Sequence, residues 1–148
     1  MSTRSRIAIL NPDNSIRMIY CHSDGYLDYN GKILLNHYTD AAKVGELIDL
    51  GDISSLGEEI GIKHPFDPDW KDYDAYKQQY GKMTRAYGRD REETGIEART
   101  FPSLDAIPAD YFEAFFYLFT PTGWQWFPGD KKDLIKPLTQ KDIDGGDN

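Results

Sequence analysis

Tyr111-Phe112-Glu113-Ala114-Phe115-Phe116-Tyr117-Leu118-Phe119-Thr120-Pro121-Thr122-Gly123-Trp124-Gln125-Trp126-Phe127 is the stretch whose reading decides the fold. Phe112 to Phe119 is apolar on both faces, interrupted only by Glu113. That is the pattern of a strand covered above and below in the middle of a sheet. Pro121-Thr122-Gly123 turns the chain, and Trp124 to Phe127 returns as an aromatic strand. Trp124 and Trp126 share one face of it, with Gln125 on the other.

Working outward, the other strand signals lie at the N-terminus. Arg6–Leu10 and Ile16–Cys21 are β-rich runs separated by Asn11-Pro12-Asp13-Asn14, residues that favour tight turns. They predict a β-hairpin. Lys32–Tyr38 reads as a helix, and a second helix is expected from Thr39 as N-cap with Asp40 in its first turn. Val44, Leu47 and Ile48 give that helix an apolar face, and Gly51 stands where it should end. Ser54–Ile60 predicts a further short helical turn. Lys63–Tyr80 is polar and aromatic, with two prolines making its first half irregular, and Met83–Thr94 reads as a charged loop. Ile96–Phe101 predicts a strand and Ser103–Ala109 a short helix.

The sum is an α+β fold: an N-terminal β-hairpin, short helices in the middle, and an antiparallel sheet completed by the aromatic C-terminal hairpin. Residues 1–128 are expected to form one domain, followed by a charged, flexible tail over 129–148 that frays at its end. The chain has 148 residues, an ordinary length for one domain. Only 39% of them are hydrophobic, but ten Tyr, seven Phe and three Trp point to a core built on rings. Trp70, Trp124 and Trp126 are expected in that core, with a partner-binding aromatic patch as the alternative.

The 25 acidic and 17 basic residues leave a net charge of −8. Such a surface repels phosphate backbones, which argues against direct nucleic-acid binding. The same charge suits solubility, and equally a face that mimics DNA or docks on a basic partner. Cys21 is the one cysteine, so no internal disulfide is available and a reducing compartment is expected. The N-terminal residues show neither a secretory leader nor an 18-residue apolar run, so a cytoplasmic location with no membrane contact is expected.

Two clusters carry chemistry. The first is Tyr20-Cys21-His22-Ser23-Asp24-Gly25-Tyr26, leaving the second strand. Cys21 and His22 are adjacent on a strand and point to opposite faces, so they do not make a nucleophile–base pair. Cys21 reads as a small packing residue, while His22 and Asp24, two apart, share a face and form a candidate hydrogen-bonded pair. The second cluster is Arg85-Ala86-Tyr87-Gly88-Arg89-Asp90-Arg91, a basic island in an acidic chain. Arginines beside aromatics can clamp phosphate and stack on bases, although pairing with Asp90, Glu92 and Glu93 accounts for them equally. Convergence of Arg4, His22 and Arg89, with Tyr20, Tyr26 or Tyr87 against a ligand ring, would make an anion pocket. Metal-ligand spacings, phosphate-binding glycine loops and a nucleophile elbow are all missing, so no metal and no cofactor are expected.

Thr3-Arg4-Ser5, then Ile19-Tyr20-Cys21-His22-Ser23-Asp24-Gly25-Tyr26, then Gly31, Leu34 and Leu35, resembles a family of small proteins of tailed phages and prophages. That family typically shows Thr-Arg-Ser, Tyr-x-His/Gln-x-Asp-Gly-Tyr, and a Gly with a Leu pair. Leu50–Leu56 is similar too, whereas Ser23 stands where an aromatic is common and Leu27 where Pro is common. The resemblance implies a phage accessory protein. Small acidic proteins of that class are similar to inhibitors of host defence, some blocking CRISPR nuclease complexes and others holding signal nucleotides.

The leading expectation is therefore a non-enzymatic counter-defence protein that binds and inhibits a host defence complex, its acidic surface on a nucleic-acid channel. The alternative is sequestration of a phosphorylated signal nucleotide by Arg4, His22, Arg85 and Arg89, and a second is a small hydrolase using His22 and Asp24. A purely structural phage role is the third. The candidate binding residues are Arg4, Tyr20, His22, Asp24, Tyr26, Arg85, Tyr87 and Arg89, and self-association stays open.

Overall fold

The computed structural model describes residues 3–67 and 70–145. Its strands are β1 (Ser5–Leu10), β2 (Ile16–Cys21), β3 (Ile53–Ser55), β4 (Arg85–Ala86), β5 (Arg99–Phe101), β6 (Phe115–Thr120), β7 (Gly123–Pro128) and β8 (Lys136–Pro137). Its helices are α1 (Lys32–His37), α2 (Ala41–Asp49), α3 (Tyr73–Tyr80), α4 (Tyr87–Arg91) and α5 (Gln140–Gly145). A π-type turn at Leu27–Gly31 runs directly into α1. Both expected hairpins form: β1 pairs with β2 from Ser5↔Cys21 to Leu10↔Ile16, and β6 with β7 from Phe115↔Pro128 to Thr120↔Gly123.

The strand order is β4-β3-β2-β1-β6-β7-β8, with β5 added against the far end of β2. The α+β class holds, but the sheet is mixed rather than antiparallel. β1 lies parallel to β6 (Ser5↔Phe115 to Ile9↔Phe119), and β2 meets β3 in parallel at Cys21↔Ile53. Parallel neighbours need a long crossover, and the whole middle of the chain supplies it.

β6 is the spine, with Phe115 to Leu118 all buried because its two faces feed two cores. On one side Ile7, Ile19, Tyr117, Trp124 and Trp126 pack under α1 and α2 through Leu34, Val44, Leu47 and Ile48. On the other, Ala8, Met18, Phe116 and Phe127 pack under the segment carrying Phe101, Leu104, Ile107 and Phe112. Phe116 and Phe127 stack at 4.8 Å. Trp124 and Trp126 are core residues as expected; Trp70 is not, being 79% exposed.

Several local expectations change. The N-cap of α2 is Asp40, whose Oδ1 accepts from the Lys43 amide at 2.9 Å, and not Thr39. Asp40 takes the extended backbone a cap requires and Ala41 begins the helix. Gly51 takes φ +80 just past the end, where a Cβ would lie 2.4 Å from the Ile96 carbonyl oxygen. Residues 54–60 begin with strand β3 instead of a helical turn. The backbone of Gly57 is held there by the Tyr38 hydroxyl, which donates to its carbonyl at 2.8 Å, and by Thr84 Oγ1, which accepts from its amide at 3.0 Å. The expected loop over 83–94 contains β4 and α4, organised around buried Asp90.

The expected tail is largely part of the domain. β8 pairs with β7 at Gln125↔Pro137, the Leu138 amide donates to the Trp124 carbonyl at 2.9 Å, and Leu138 and Ile143 are buried. Two apolar side chains suffice to dock this charged segment, and the expected fraying falls on 146–148, outside the described residues. Among the described residues no helix is long and apolar enough to cross a membrane.

Candidate functional site

The two polar clusters meet through strand pairing. Cys21 of β2 faces Ile53 of β3, and Ile53 faces Ala86 of β4. The His22 and Ser23 amides extend the first contact by donating to the Ile53 and Ser54 carbonyls at 3.1 and 3.0 Å. Two strand spacings, about 10 Å, therefore separate the exit of β2 from the Arg85 island.

Above that sheet end lies a cavity of about 410 Å³. Ser23 and Asp24 leave β2 along it, Ser54 and Ser55 contribute from β3, and Arg85 from β4. The remaining wall is α3. Tyr73, Tyr76, Lys77 and Tyr80 fall at i, i+3, i+4 and i+7, one face of a helix, and all four line the cavity. No residue of α3 is buried, so this stripe serves a pocket and not a core. His64 stacks on Tyr80 at 5.2 Å and Tyr76 meets Tyr80 edge-on at 5.3 Å, which stiffens the tyrosine wall.

Arg85 is the central cation. Its guanidinium lies 5.4 Å from the Phe66 ring centre and 5.9 Å from that of Tyr76, whose hydroxyl donates to the Pro65 carbonyl at 2.8 Å. Burial raises the Tyr76 phenol above its ordinary pKa and Arg85 opposes that rise, so the phenol stays neutral at physiological pH. Among the described residues the ion pairs of this region use Lys63, His64, Arg89 and Arg91, and none uses Arg85 or Lys77. Among the described residues the pocket thus holds two cations without a carboxylate partner against one carboxylate, Asp24, in a chain of net charge −8.

Arg89 has a different fate. Its Nε and Nη2 donate to the Asp90 carboxylate at 2.9 and 3.1 Å, Nη1 to the Ile60 carbonyl at 2.8 Å, and Nη2 also to the Thr84 carbonyl at 2.7 Å. These bonds occupy the fork, so Arg89 leaves the anion-binding set and becomes a brace. Asp90 is fully buried and also accepts from the Ala86 and His64 amides at 2.8 and 3.1 Å. Burial pushes its carboxyl upward, but the Arg89 and amide hydrogen bonds outweigh it and hold the carboxyl below its ordinary pKa. Tyr87 forms the layer behind Arg85: it stacks on Phe66 at 5.5 Å, while Arg91 lies 4.3 Å from the Phe66 ring centre.

His22 and Tyr20 pair with each other and do not line this cavity. The His22 Nδ1 and the Tyr20 hydroxyl lie 2.8 Å apart, and Arg6 covers the Tyr20 ring at 5.2 Å. The Tyr20 phenol is raised by burial, and the positive charge of Arg4 opposes the rise, which groups Arg4 with this second patch. The expected His22–Asp24 pair is replaced by His22–Tyr20, because φ +59 at Asp24 turns the chain off the strand and puts Asp24 on the pocket wall. Cys21 is buried, its Sγ donates to the Ser23 carbonyl at 3.4 Å, and burial pushes its thiol up to about 11, far from a reactive thiolate. Tyr26 is 36% exposed, and its carbonyl accepts from the Tyr29 and Gly31 amides.

The structure therefore brings Asp24 and Arg85 together, backs them with Tyr87, and leaves Arg4, Tyr20, His22 and Arg89 elsewhere. The α3 tyrosines and Lys77 were not among the sequence candidates. Their i, i+3, i+4, i+7 spacing was a usable signal, hidden because an aromatic helical stripe ordinarily reads as core. Among the described residues no group of three His, Cys, Asp or Glu is placed to hold a metal ion. The chain matches no protein-family model, no curated protein and no solved structure.

Proposed function

We propose that this protein acts by stoichiometric binding and that its pocket sequesters a small phosphorylated ligand of the nucleotide type, in the setting of phage or prophage counter-defence. The observation that carries this reading is Arg85, held over two rings without a carboxylate partner among the described residues, facing the tyrosine stripe of α3. A guanidinium meets phosphate oxygens in a bidentate fork, and phenol rings cover a planar base. Lys77 adds a second positive charge on the same wall. The volume, about 410 Å³, lies at the small end of the range for small-molecule sites and suits one nucleotide unit. The counter-defence setting rests on the resemblance of residues 3–56 to the phage family.

The test is calorimetric titration of the purified protein with nucleoside mono- and triphosphates. The expected result is saturable binding that Arg85→Ala weakens by about tenfold or more, the worth of one charged hydrogen bond, with thermal melting still cooperative as the check that the variant is folded. Absence of binding to every nucleotide tested would overturn the reading.

A second reading follows from the net charge of −8: an acidic face that docks, anti-CRISPR-like, on the nucleic-acid channel of a host defence complex. Its signature is binding to the intact effector that weakens steeply with salt. Binding insensitive to salt would remove it.

A further inference from the structure

A pocket built only for phosphate would have no use for a carboxylate, yet Asp24 lines the same cavity as Arg85 and Lys77. An aspartate beside a bound phosphate repels it, so the part of a ligand facing Asp24 must offer hydrogen-bond donors. Asp24 is also firmly placed. Its carbonyl accepts from the Asn30 amide at 3.2 Å, and the next residue, Gly25, donates to the Thr3 carbonyl at 2.8 Å and accepts from the Tyr117 hydroxyl at 2.7 Å. A Cβ on Gly25 would lie 3.0 Å from both Ser5 and the Thr3 carbonyl oxygen, so the loop is packed against β1 just past Asp24. The backbone turn at φ +59 is one that Asp adopts more readily than most residues.

From this arrangement we infer that the pocket selects ribonucleotides over deoxyribonucleotides, with Asp24 accepting hydrogen bonds from the ribose 2′- and 3′-hydroxyls. The inference rests on the nucleotide reading above and refines it. Two adjacent hydroxyls present two donors to the two oxygens of a carboxylate, the same contact that acidic residues make with ribose in dinucleotide sites. The three chemistries of the walls then match the three parts of one ligand. Arg85 and Lys77 meet the phosphate, Asp24 meets the sugar, and the α3 tyrosines cover the base. Loss of the 2′-hydroxyl leaves one oxygen of Asp24 desolvated and unpaired, which is what makes such a site discriminate.

The experiment titrates the full-length protein with AMP, GMP, CMP and UMP, each beside its 2′-deoxy counterpart, and repeats the best pair with Asp24→Asn. Asn tolerates the same backbone conformation, and the melting temperature checks that the variant is folded. The expected result is binding of the ribonucleotide at least tenfold tighter than its deoxy form, with Asp24→Asn erasing most of that difference by weakening the ribonucleotide more than the deoxynucleotide, which keeps only the 3′-hydroxyl contact. Equal affinity of the wild type for both sugars overturns the ribose inference and leaves the pocket reading standing. Binding of neither overturns both. Should Asp24→Asn fail to fold, the wild-type comparison alone still decides.

Discussion

The sheet around β1, β2, β6 and β7 and the unit built from β3, β4, α3 and α4 hold the chain together in different ways. The first buries rings and aliphatic side chains on both faces, with Phe116, Tyr117 and Phe127 wholly out of water. The second has less apolar burial: α3 buries no residue, β4 and α4 bury only Ala86 and Asp90, and β3 buries Ile53. Its geometry comes from Arg89 on Asp90, Thr84 on Gly57, and cations over Phe66, Tyr76 and Tyr87. Apolar burial is strong but non-directional, whereas hydrogen-bonded polar networks aim individual groups. The pocket lies in the region whose side chains are aimed.

The contrast can be broken or sharpened by substitution. Phe116→Ala should have the largest effect, about 3–5 kcal/mol in urea unfolding, because the cavity opens between two packed layers. Asp90→Ala comes next, at about 3 kcal/mol, since it leaves Arg89 and two buried amides without their acceptor. Hydrogen exchange separates the two. Asp90→Ala should release amides of 53–91 while β1 and β6 stay protected, and uniform loss of protection would show that the two regions are one cooperative unit.

The same carboxylate predicts a pH dependence. Its pKa is lower in the folded state, so its contribution is complete above its unfolded value of about 4 and is lost as pH falls through the lower folded value. Melting temperature should therefore drop on acidification below about pH 4, and Asp90→Asn should flatten that drop. The smallest effect expected is at the start of α2: Asp40→Ala should cost about 1 kcal/mol and Thr39→Ala much less. Equal costs would return the cap to Thr39.

The readable parts of the candidate site were those that depend on near neighbours. His22, Asp24 and the Arg85 island were visible as clusters, and burial of Cys21 followed from its place on a strand. Which arginine is available was not visible. Arg85 and Arg89 are four apart in the same basic island, yet Asp90, Ile60 and Thr84 claim one and not the other. Nor was the partner of His22, because Tyr20 and Asp24 are equally spaced from it and only the turn at Asp24 decides between them.

The sequence by itself determined the two hairpins, the amphipathic helix ending before Gly51, and the doubly buried strand at Phe115–Leu118. Each is specified by side-chain period and turn chemistry within about ten residues, where the local pattern leaves little choice. Only the tertiary structure decided the parallel pairing of β1 with β6, the docking of 132–145, and the meeting of Asp24 with Arg85 across β3. Those depend on contacts between segments far apart in the chain, whose selection rests on how whole layers pack and which buried polar groups must find partners. The pocket belongs to that second class, which is why its tyrosine wall reads in sequence only as a polar, aromatic segment and in space as one wall of a cavity.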